Sequence, residues 1–369
     1  MVLSASSALR ASEPKPSPVQ EASRERRLKA EGCMEISRIP RFPHGRSDFR
    51  AACSILGLES DSYSDVLFDW FSVMTESLRF RRILVTGRDR ARFLHNFCTN
   101  GVRDLQEGRS VEAFFVDVKA RILAHGYVLS LPSRHEIHVL GSLGAETALL
   151  KHLDRYIITE DVQVRGVSDR EQGGLLRLSE TDSAGVVPGC EELSGGGVRH
   201  VFRWSSGVMC VLAGEESFVH QSALADAEAG TDELLLSWRI AERYPIVGVD
   251  VSGEHLAPEA DRNHQAISFQ KGCYLGQEPI ARIDAMGHIN RALRRLQLTG
   301  VDTEDGLSWV GAELHSAAGQ LLGSLTSVEA KAESGVAGGL AVVKLSGLPV
   351  MAVREDGKQC VISGVEGNA

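Results

Sequence analysis

The sequence has no apolar run long enough to cross a membrane, and this absence predicts a soluble protein. It also has no Cys-x-x-Cys pair and no cysteine–histidine cluster at zinc-like spacing, so we expect no metal site. The 7 cysteines are scattered along the chain, which fits a reducing compartment better than a disulfide framework. A basic surplus is missing too: the formal net charge of -9 argues against general binding to nucleic acid, and no direct contact with it is expected.

Residues 1–46 lack any sustained hydrophobic period and are rich in serine, proline, alanine and arginine. This composition predicts a disordered extension, because it cannot bury enough apolar surface to order itself. An organellar transit peptide and an over-long assigned start are the alternatives. Residues 47–75 then favour a helical lead-in with an apolar stripe.

The pattern after residue 75 predicts an α+β fold with a small C-terminal β-barrel. Strands and helices alternate over residues 76–168 in an order typical of a ferredoxin-like unit, and a second α+β half is expected over residues 196–288. Residues 171–195 are predicted to be a loop-rich connection. Short strands at regular spacing over residues 289–366 favour the barrel.

One stretch stands out as a candidate functional site. Glycines bracket a cysteine and a tyrosine between a predicted strand, Ala266–Phe269, and a predicted helix that has Pro279 in its first turn. A cysteine near a helix N-terminus and a lysine would favour the thiolate, although a buried cysteine in a turn is the plain alternative. The residues singled out are Lys271, Gly272, Cys273, Tyr274, Gly276, Gln277 and Glu278.

The run Lys-Gly-Cys-Tyr-x-Gly-Gln-Glu resembles the signature of the YgfZ-type folate-binding proteins, which are related in fold to the glycine-cleavage T-protein, an aminomethyltransferase. The resemblance implies two ferredoxin-like halves and a barrel, with tetrahydrofolate or a derivative as cofactor. It also implies a functional thiol at Cys273, with the rest of the motif holding the loop. By the same resemblance, Phe80, Arg239 and Tyr244 are expected to contact the folate. The alternatives are a core aromatic for Phe80 and a structural ion pair for Arg239.

Two departures from the transferase pattern make catalysis of one-carbon transfer uncertain. The adjacent acids of the transferases correspond here to Ala124 and His125, and their Glu-Ala-Gly run corresponds to Ala241, Glu242 and Arg243. Without the acid, the proton-transfer help that the reaction needs is missing. His125 lies among apolar neighbours and is expected to be a core histidine.

The resemblance therefore implies an accessory protein that helps to assemble or repair iron–sulfur clusters in selected enzymes, in bacteria including radical enzymes that thiolate tRNA. Iron–sulfur enzymes and assembly factors are the expected partners of a monomeric, cytoplasmic protein, or of a mitochondrial-matrix protein in a eukaryote. A folate-dependent aminomethyl transferase and a non-catalytic adaptor remain the alternatives.

Overall fold

The computed structural model describes residues 80–131, 135–142, 146–167, 173–177, 187–193, 197–213, 228–229, 232–302, 306–329, 332 and 334–367. The predicted disordered extension (residues 1–46) and the helical lead-in (residues 47–75) lie outside the described residues. The predicted domain boundaries accordingly stay predictions.

Ten described strands form one antiparallel sheet in which the two predicted halves are joined edge to edge. The spatial order is β2-β3-β4-β1-β6-β9-β8-β7, with β5 pairing with β1 and β10 with β6. The strands are β1 (Phe80–Thr86), β2 (Ser110–Val116), β3 (Ile122–Leu131), β4 (Glu136–Ser142), β5 (Gln163–Gly166), β6 (Gly173–Arg177), β7 (Gly189–Glu192), β8 (Val198–Trp204), β9 (Gly207–Ala213) and β10 (Glu228–Ala229).

Five described α-helices accompany this sheet: α1 (Arg90–His95), α2 (Glu146–Asp154), α3 (Asp232–Glu242), α4 (Asn263–Ala266) and α5 (Gln277–Met286). A 3₁₀ turn, Ala257–Ala260, precedes α4. In α1 the buried residues are Phe93, Leu94 and His95. The short α1 is therefore held by packing, since six residues are too few for a helix to be stable by itself.

Strand β3 explains why the first half has a continuous core. Eight of its ten residues are buried, so both of its faces are covered and the strand lacks the alternation of a half-exposed one. The sequence predicts a turn at Lys119-Ala120 between two strands, and a turn with Ala120 at φ 64° does connect β2 to β3.

The C-terminal barrel is confirmed, and it has six strands where the sequence pattern over residues 289–366 indicates five. Its closed order is β11-β14-β13-β12-β15-β16. The strands are β11 (Arg291–Thr299), β12 (Glu313–Ser316), β13 (Leu321–Val328), β14 (Val336–Lys344), β15 (Pro349–Val353) and β16 (Gln359–Glu366). The additional strand, β16, closes the barrel by pairing with both β11 and β15.

Three local predictions were wrong. The predicted loop over residues 171–195 contains β6 and β7, because β6 finds partners in β9 and β1 that are distant in sequence. The sequence pattern over Glu215–Ala229 predicts a helix, but residues 228–229 pair with β6 as β10, and the rest of that segment lies outside the described residues. Residues Ala266–Phe269, predicted as a strand, do not form one. Ala266 is the last residue of helix α4, and the backbone N–H of Ser268 donates to the backbone oxygen of Thr99. None of the helices in the described part of the chain has both the length and the apolar character of a membrane span.

Candidate functional site

Lys271 fixes the motif loop to the segment that follows helix α1. Its ammonium group donates hydrogen bonds to the backbone oxygens of His95 (2.6 Å), Cys98 (2.7 Å) and Asn100 (2.9 Å). An ammonium has three N–H donors, so these carbonyls use all of them. Burial lowers the pKa of Lys271. The lysine therefore anchors the loop, whereas the sequence suggested that it would act on the neighbouring thiol.

Thr99 and Asn100 strengthen the same junction from the other side. The Thr99 hydroxyl donates to the backbone oxygen of Ala266 (2.6 Å) and accepts from the N–H of Phe114 (2.9 Å). The Asn100 amide donates to the backbone oxygens of Glu112 (2.9 Å) and Gln265 (3.2 Å). Asn100 and Gly101 form a pair whose sequence predicts a chain reversal, and at this point the chain is hydrogen-bonded both to strand β2 and to the segment that leads to the motif.

Gly276 packs directly against the end of strand β2. Its φ is +78°, and a Cβ added there would lie 2.3 Å from the backbone oxygen of Asp117. No side chain fits at that distance, and the left-handed backbone itself favours glycine. Helix α5 begins directly afterwards at Gln277, with Pro279 in its first turn as predicted.

Cys273 is exposed, whereas the other cysteines among the described residues (Cys98, Cys190, Cys210 and Cys360) are buried. Burial raises the pKa of the Cys190 and Cys210 thiols to about 12, which makes them poor nucleophiles. The alternative of a buried cysteine in the motif is therefore wrong. Of the described thiols, that of Cys273 is the accessible one.

The remaining motif side chains have unequal surroundings. Tyr274 is buried, its ring lies 4.7 Å from the Lys271 ammonium nitrogen, and burial raises its pKa to about 12. Glu278 is exposed and pairs with Arg282 (2.9 Å) one helical turn later. Gln277 donates its backbone N–H to the oxygen of Tyr274. These contacts give Tyr274 a packing role, while a part for Glu278 as the base for Cys273 stays a prediction.

A polar cleft of about 500 Å³ opens beside the motif. Its lining includes His95, Arg103, Asp104, Arg109, Lys271 and Gly272. Sequence reasoning missed His95, Arg103 and Arg109, because they lie over 160 positions before the motif and no local pattern marks them. Three cationic side chains against one carboxylate among these residues give the cleft a positive character.

A buried ion-pair network occupies the region of the expected acidic pair. The Arg262 guanidinium donates to both carboxylate oxygens of Glu112, at 2.7 Å to Oε2, and His125 shares a 2.7 Å hydrogen bond with Oε1. Burial alone would raise the pKa of Glu112, but the charge of Arg262 and the hydrogen bonds from Arg262 and His125 lower it to about 2. His125 is 1% exposed and, as expected, a core histidine with a partner. Ala124 is buried beside it.

The residues expected to contact a folate do not form an open pocket. Arg239 pairs with Asp250 (2.5 Å) and donates to the Ser327 hydroxyl (2.6 Å), which is the structural ion pair that the sequence left open. The Tyr244 ring is fully buried between His125, at 4.6 Å between ring centroids, and Trp204, at 5.2 Å. The backbone of Phe80 begins strand β1, and its side chain lies outside the described residues. As they lie, Arg239 and Tyr244 do not fit a bound folate, so contact there stays a prediction that requires them to move.

Comparisons with known proteins address the fold and the family. No protein-family model matches the sequence. The chain is similar in structure to the glycine cleavage system aminomethyltransferase T of Bartonella henselae, with a TM-score of 0.61 and 15% sequence identity over 80% of this chain and 86% of that one. This likeness, with the closed six-stranded barrel, assigns the chain to the T-protein fold class.

In sequence the chain is 26% identical over 234 residues to the tRNA-modifying protein YgfZ of Colwellia psychrerythraea, covering 60% of this chain and 70% of that protein. It is 27% identical over 268 residues to a chloroplastic Arabidopsis thaliana protein whose name provisionally assigns it as a transferase. The match covers 66% of this chain, and the chain spans 60% of the length of that relative. The predicted resemblance to the YgfZ-type proteins, related to the T-protein fold, is confirmed.

Proposed function

We propose that this chain is an accessory protein for enzymes that modify tRNA, and that it assists the assembly or repair of their iron–sulfur clusters through the Cys273 thiol. The observation that carries this proposal is the anchored motif loop, in which Lys271 is held by three carbonyls while Cys273 is exposed. The sequence similarity to a protein named as tRNA-modifying supports the choice of client enzymes.

A rigid loop with an exposed thiol suits transient chemistry on a partner. One balanced step is transfer from a persulfide: the Cys273 thiolate attacks the outer sulfur, the sulfur–sulfur bond breaks, and its electron pair leaves with the partner's thiolate. Cys273 then carries the persulfide, and no external oxidant or reductant is consumed. Contact of the thiol with a partner's cluster is the other form of the same proposal.

Folate belongs to the proposal as a ligand, supported by the T-protein fold and the YgfZ similarity. We assign it no step, because two of its three expected contacts, Arg239 and Tyr244, are enclosed by protein groups. Its binding is tested separately, by calorimetry with tetrahydrofolate on the wild-type chain and on the Phe80→Ala variant.

An aminomethyl transferase is less well supported than the accessory role. Glu112 is a buried acid beside the position of the missing pair, since it shares a hydrogen bond with His125. Its pKa of about 2 makes it a weak base, and Arg262 occupies both of its oxygens. A general base near neutral pH needs a pKa close to that pH.

The deciding experiment is complementation of cells that lack the chain, with thiolated tRNA nucleosides quantified by mass spectrometry. The Cys273→Ala variant is expected to restore none of the thiolation that the wild-type chain restores. The matched control is Cys360→Ala, which removes a buried barrel thiol. Undiminished thiolation with Cys273→Ala would overturn the thiol-dependent role and favour the non-catalytic adaptor.

The expected setting is part of the proposal: a monomer in the cytoplasm, or in the mitochondrial matrix of a eukaryote, that meets iron–sulfur enzymes and assembly factors. Retention of a cluster-containing client by the purified chain, abolished by Cys273→Ala, supports this set of partners. Retention that survives the substitution would assign the contact to another surface.

A further inference from the structure

The cleft beside the motif contains an unpartnered donor that the proposed thiol chemistry does not use. His95 is 5% exposed, yet it lines the cleft. Its Nδ1 accepts hydrogen bonds from the backbone N–H groups of Val102 and Arg103, each at 3.2 Å. An accepting nitrogen carries a lone pair, so the proton of the neutral ring must lie on Nε2.

The Nε2 atom of His95 lies close to Gly272 of the motif. The nitrogen lies 3.9 Å from the position that a Cβ on Gly272 would take, immediately before Cys273 in the chain. Among the described residues nothing hydrogen-bonds to this nitrogen. Burial and the charges of Lys271 and Arg103 lower the pKa of His95, so the ring stays neutral and keeps its single donor.

Arg103 supplies the charge at the same place. Its Nη2 atom also lies 3.9 Å from the Gly272 Cβ position, and its guanidinium has no ion-pair partner in the described part of the chain. Lys271 cannot serve a ligand because its donors are taken by carbonyls. Arg109 adds a second guanidinium to the lining, and Asp104 the carboxylate.

We propose that the His95–Arg103 cleft is a binding site for the oxyanion group of a small organic ligand whose other end reaches the Cys273 thiol. A guanidinium fork and a neutral N–H donor match the oxygens of a carboxylate or a phosphate. The site rests on the proposed role of Cys273 and adds a substrate class to it: thiol-reactive small molecules with an anionic group.

The first test compares two alkylating reagents of nearly equal size. Iodoacetate carries a carboxylate and iodoacetamide does not, and the Cys273 peptide is followed by mass spectrometry. Relative to the same ratio for a free low-molecular-weight thiol, the rate ratio of iodoacetate to iodoacetamide is expected to be raised about threefold, the size of a partly exposed ion pair. Molar salt should reduce this preference by screening.

Two variants test whether the preference for iodoacetate arises from the cleft. Arg103→Gln removes the charge, and His95→Asn keeps an acceptor for the Val102 and Arg103 N–H groups while removing the Nε2–H donor. Both are expected to lose most of the iodoacetate preference, and Arg103→Gln, at an exposed position, is expected to do so with an unchanged melting temperature. The control Lys358→Gln removes one exposed charge in the barrel and should keep the preference. A preference that is absent from the wild type, or unchanged in Arg103→Gln, overturns the proposal.

Protection experiments distinguish the two oxyanions. Inorganic phosphate and succinate are each tested for slowing of the iodoacetamide reaction at Cys273 in the wild type and in Arg103→Gln. If one of the two compounds slows the reaction in the wild type but not in Arg103→Gln, that compound identifies the class of ligand. If neither compound slows it, the binding site is contradicted. These measurements need no partner enzyme. The binding proposal for the cleft can therefore be refuted while tRNA thiolation still depends on Cys273, and the thiolation role can be refuted while the cleft still binds an oxyanion.

Discussion

The Nζ atom of Lys271 lies 2.7 Å from the backbone oxygen of Cys98, a residue 173 positions earlier in the chain. This contact and the neighbouring bonds to the His95 and Asn100 oxygens join the motif to the end of helix α1, and both His95 and Lys271 line the cleft. The motif therefore connects two segments that are distant in sequence, and it presents the exposed Cys273 thiol.

Replacing Lys271 by Met should weaken the whole fold. The substitution leaves three carbonyl oxygens without the donor they now share, and a hydrogen bond to a charged group contributes about 1.5–3 kcal/mol. Some of the oxygens will recruit water, so we expect the free energy of unfolding to fall by about 2–4 kcal/mol, measured by urea denaturation. Lys358→Met, at an exposed barrel position, is the control. Equal stability of the two variants would contradict the anchoring role.

Alanine substitutions at Gly276 and Gly287 distinguish the cost of backbone strain from the cost of a steric clash. Both glycines have left-handed backbone angles, at φ +78° and +60°, but a Cβ meets the Asp117 oxygen at 2.3 Å in the first and nothing within 4 Å in the second. Gly287→Ala should cost about 1 kcal/mol of unfolding free energy, the strain alone. Gly276→Ala should cost at least about 3 kcal/mol, since the clash forces the loop away from β2. Similar losses in chemical denaturation would refute the close approach.

The Glu112–Arg262 pair predicts a stability that depends on acid pH. The folded-state pKa of Glu112 is about 2, below its ordinary value of 4.5, so its contribution is fully present above pH 4.5 and is lost as the pH falls toward 2. Unfolding free energies measured from pH 6 to pH 3 should fall less steeply in the Glu112→Leu/Arg262→Met double variant than in the wild type.

The single substitution Glu112→Gln tests the same pair at neutral pH. It removes the Glu112 counter-charge of the buried Arg262 and leaves Glu242, 3.2 Å from Arg262 Nη2, as the remaining carboxylate, so the expected cost is at the lower end of the range for breaking a buried pair, about 3 kcal/mol. The double variant should recover part of this loss, because neither charge then remains buried. A double variant as unstable as Glu112→Gln would show that the pair is not the unit that stabilises this region.

Alkylation of the native protein should separate the cysteines by burial. Iodoacetamide is expected to modify Cys273 within minutes, whereas Cys98, Cys190, Cys210 and Cys360 should react only in denaturant, because each is buried. Peptide mass spectrometry resolves the sites. Rapid native modification of Cys98 would indicate that the Lys271 contact opens readily, since the oxygen of Cys98 is bound in it.

The sequence by itself determined the parts of this protein that depend on local pattern. Short apolar segments with turn residues between them predicted the barrel, and the strand–helix order predicted the first half of the sheet. The glycines and proline around Cys273 predicted a tight turn leading into helix α5. Backbone conformation and local periodicity are encoded within a few residues, which is why these predictions were confirmed.

Tertiary structure alone decided which distant residues meet. Residues 171–195, predicted as a loop, contain strands β6 and β7, because β6 pairs with β1 and β9, which are distant in sequence. Tertiary structure directed Lys271 to carbonyls far along the chain, and it placed His95 and Arg103 beside Gly272. It also buried Arg239 against Asp250 and Ser327 of the barrel. Pairings of this kind depend on long-range packing and on the satisfaction of buried charges, neither of which leaves a periodic signal in the sequence.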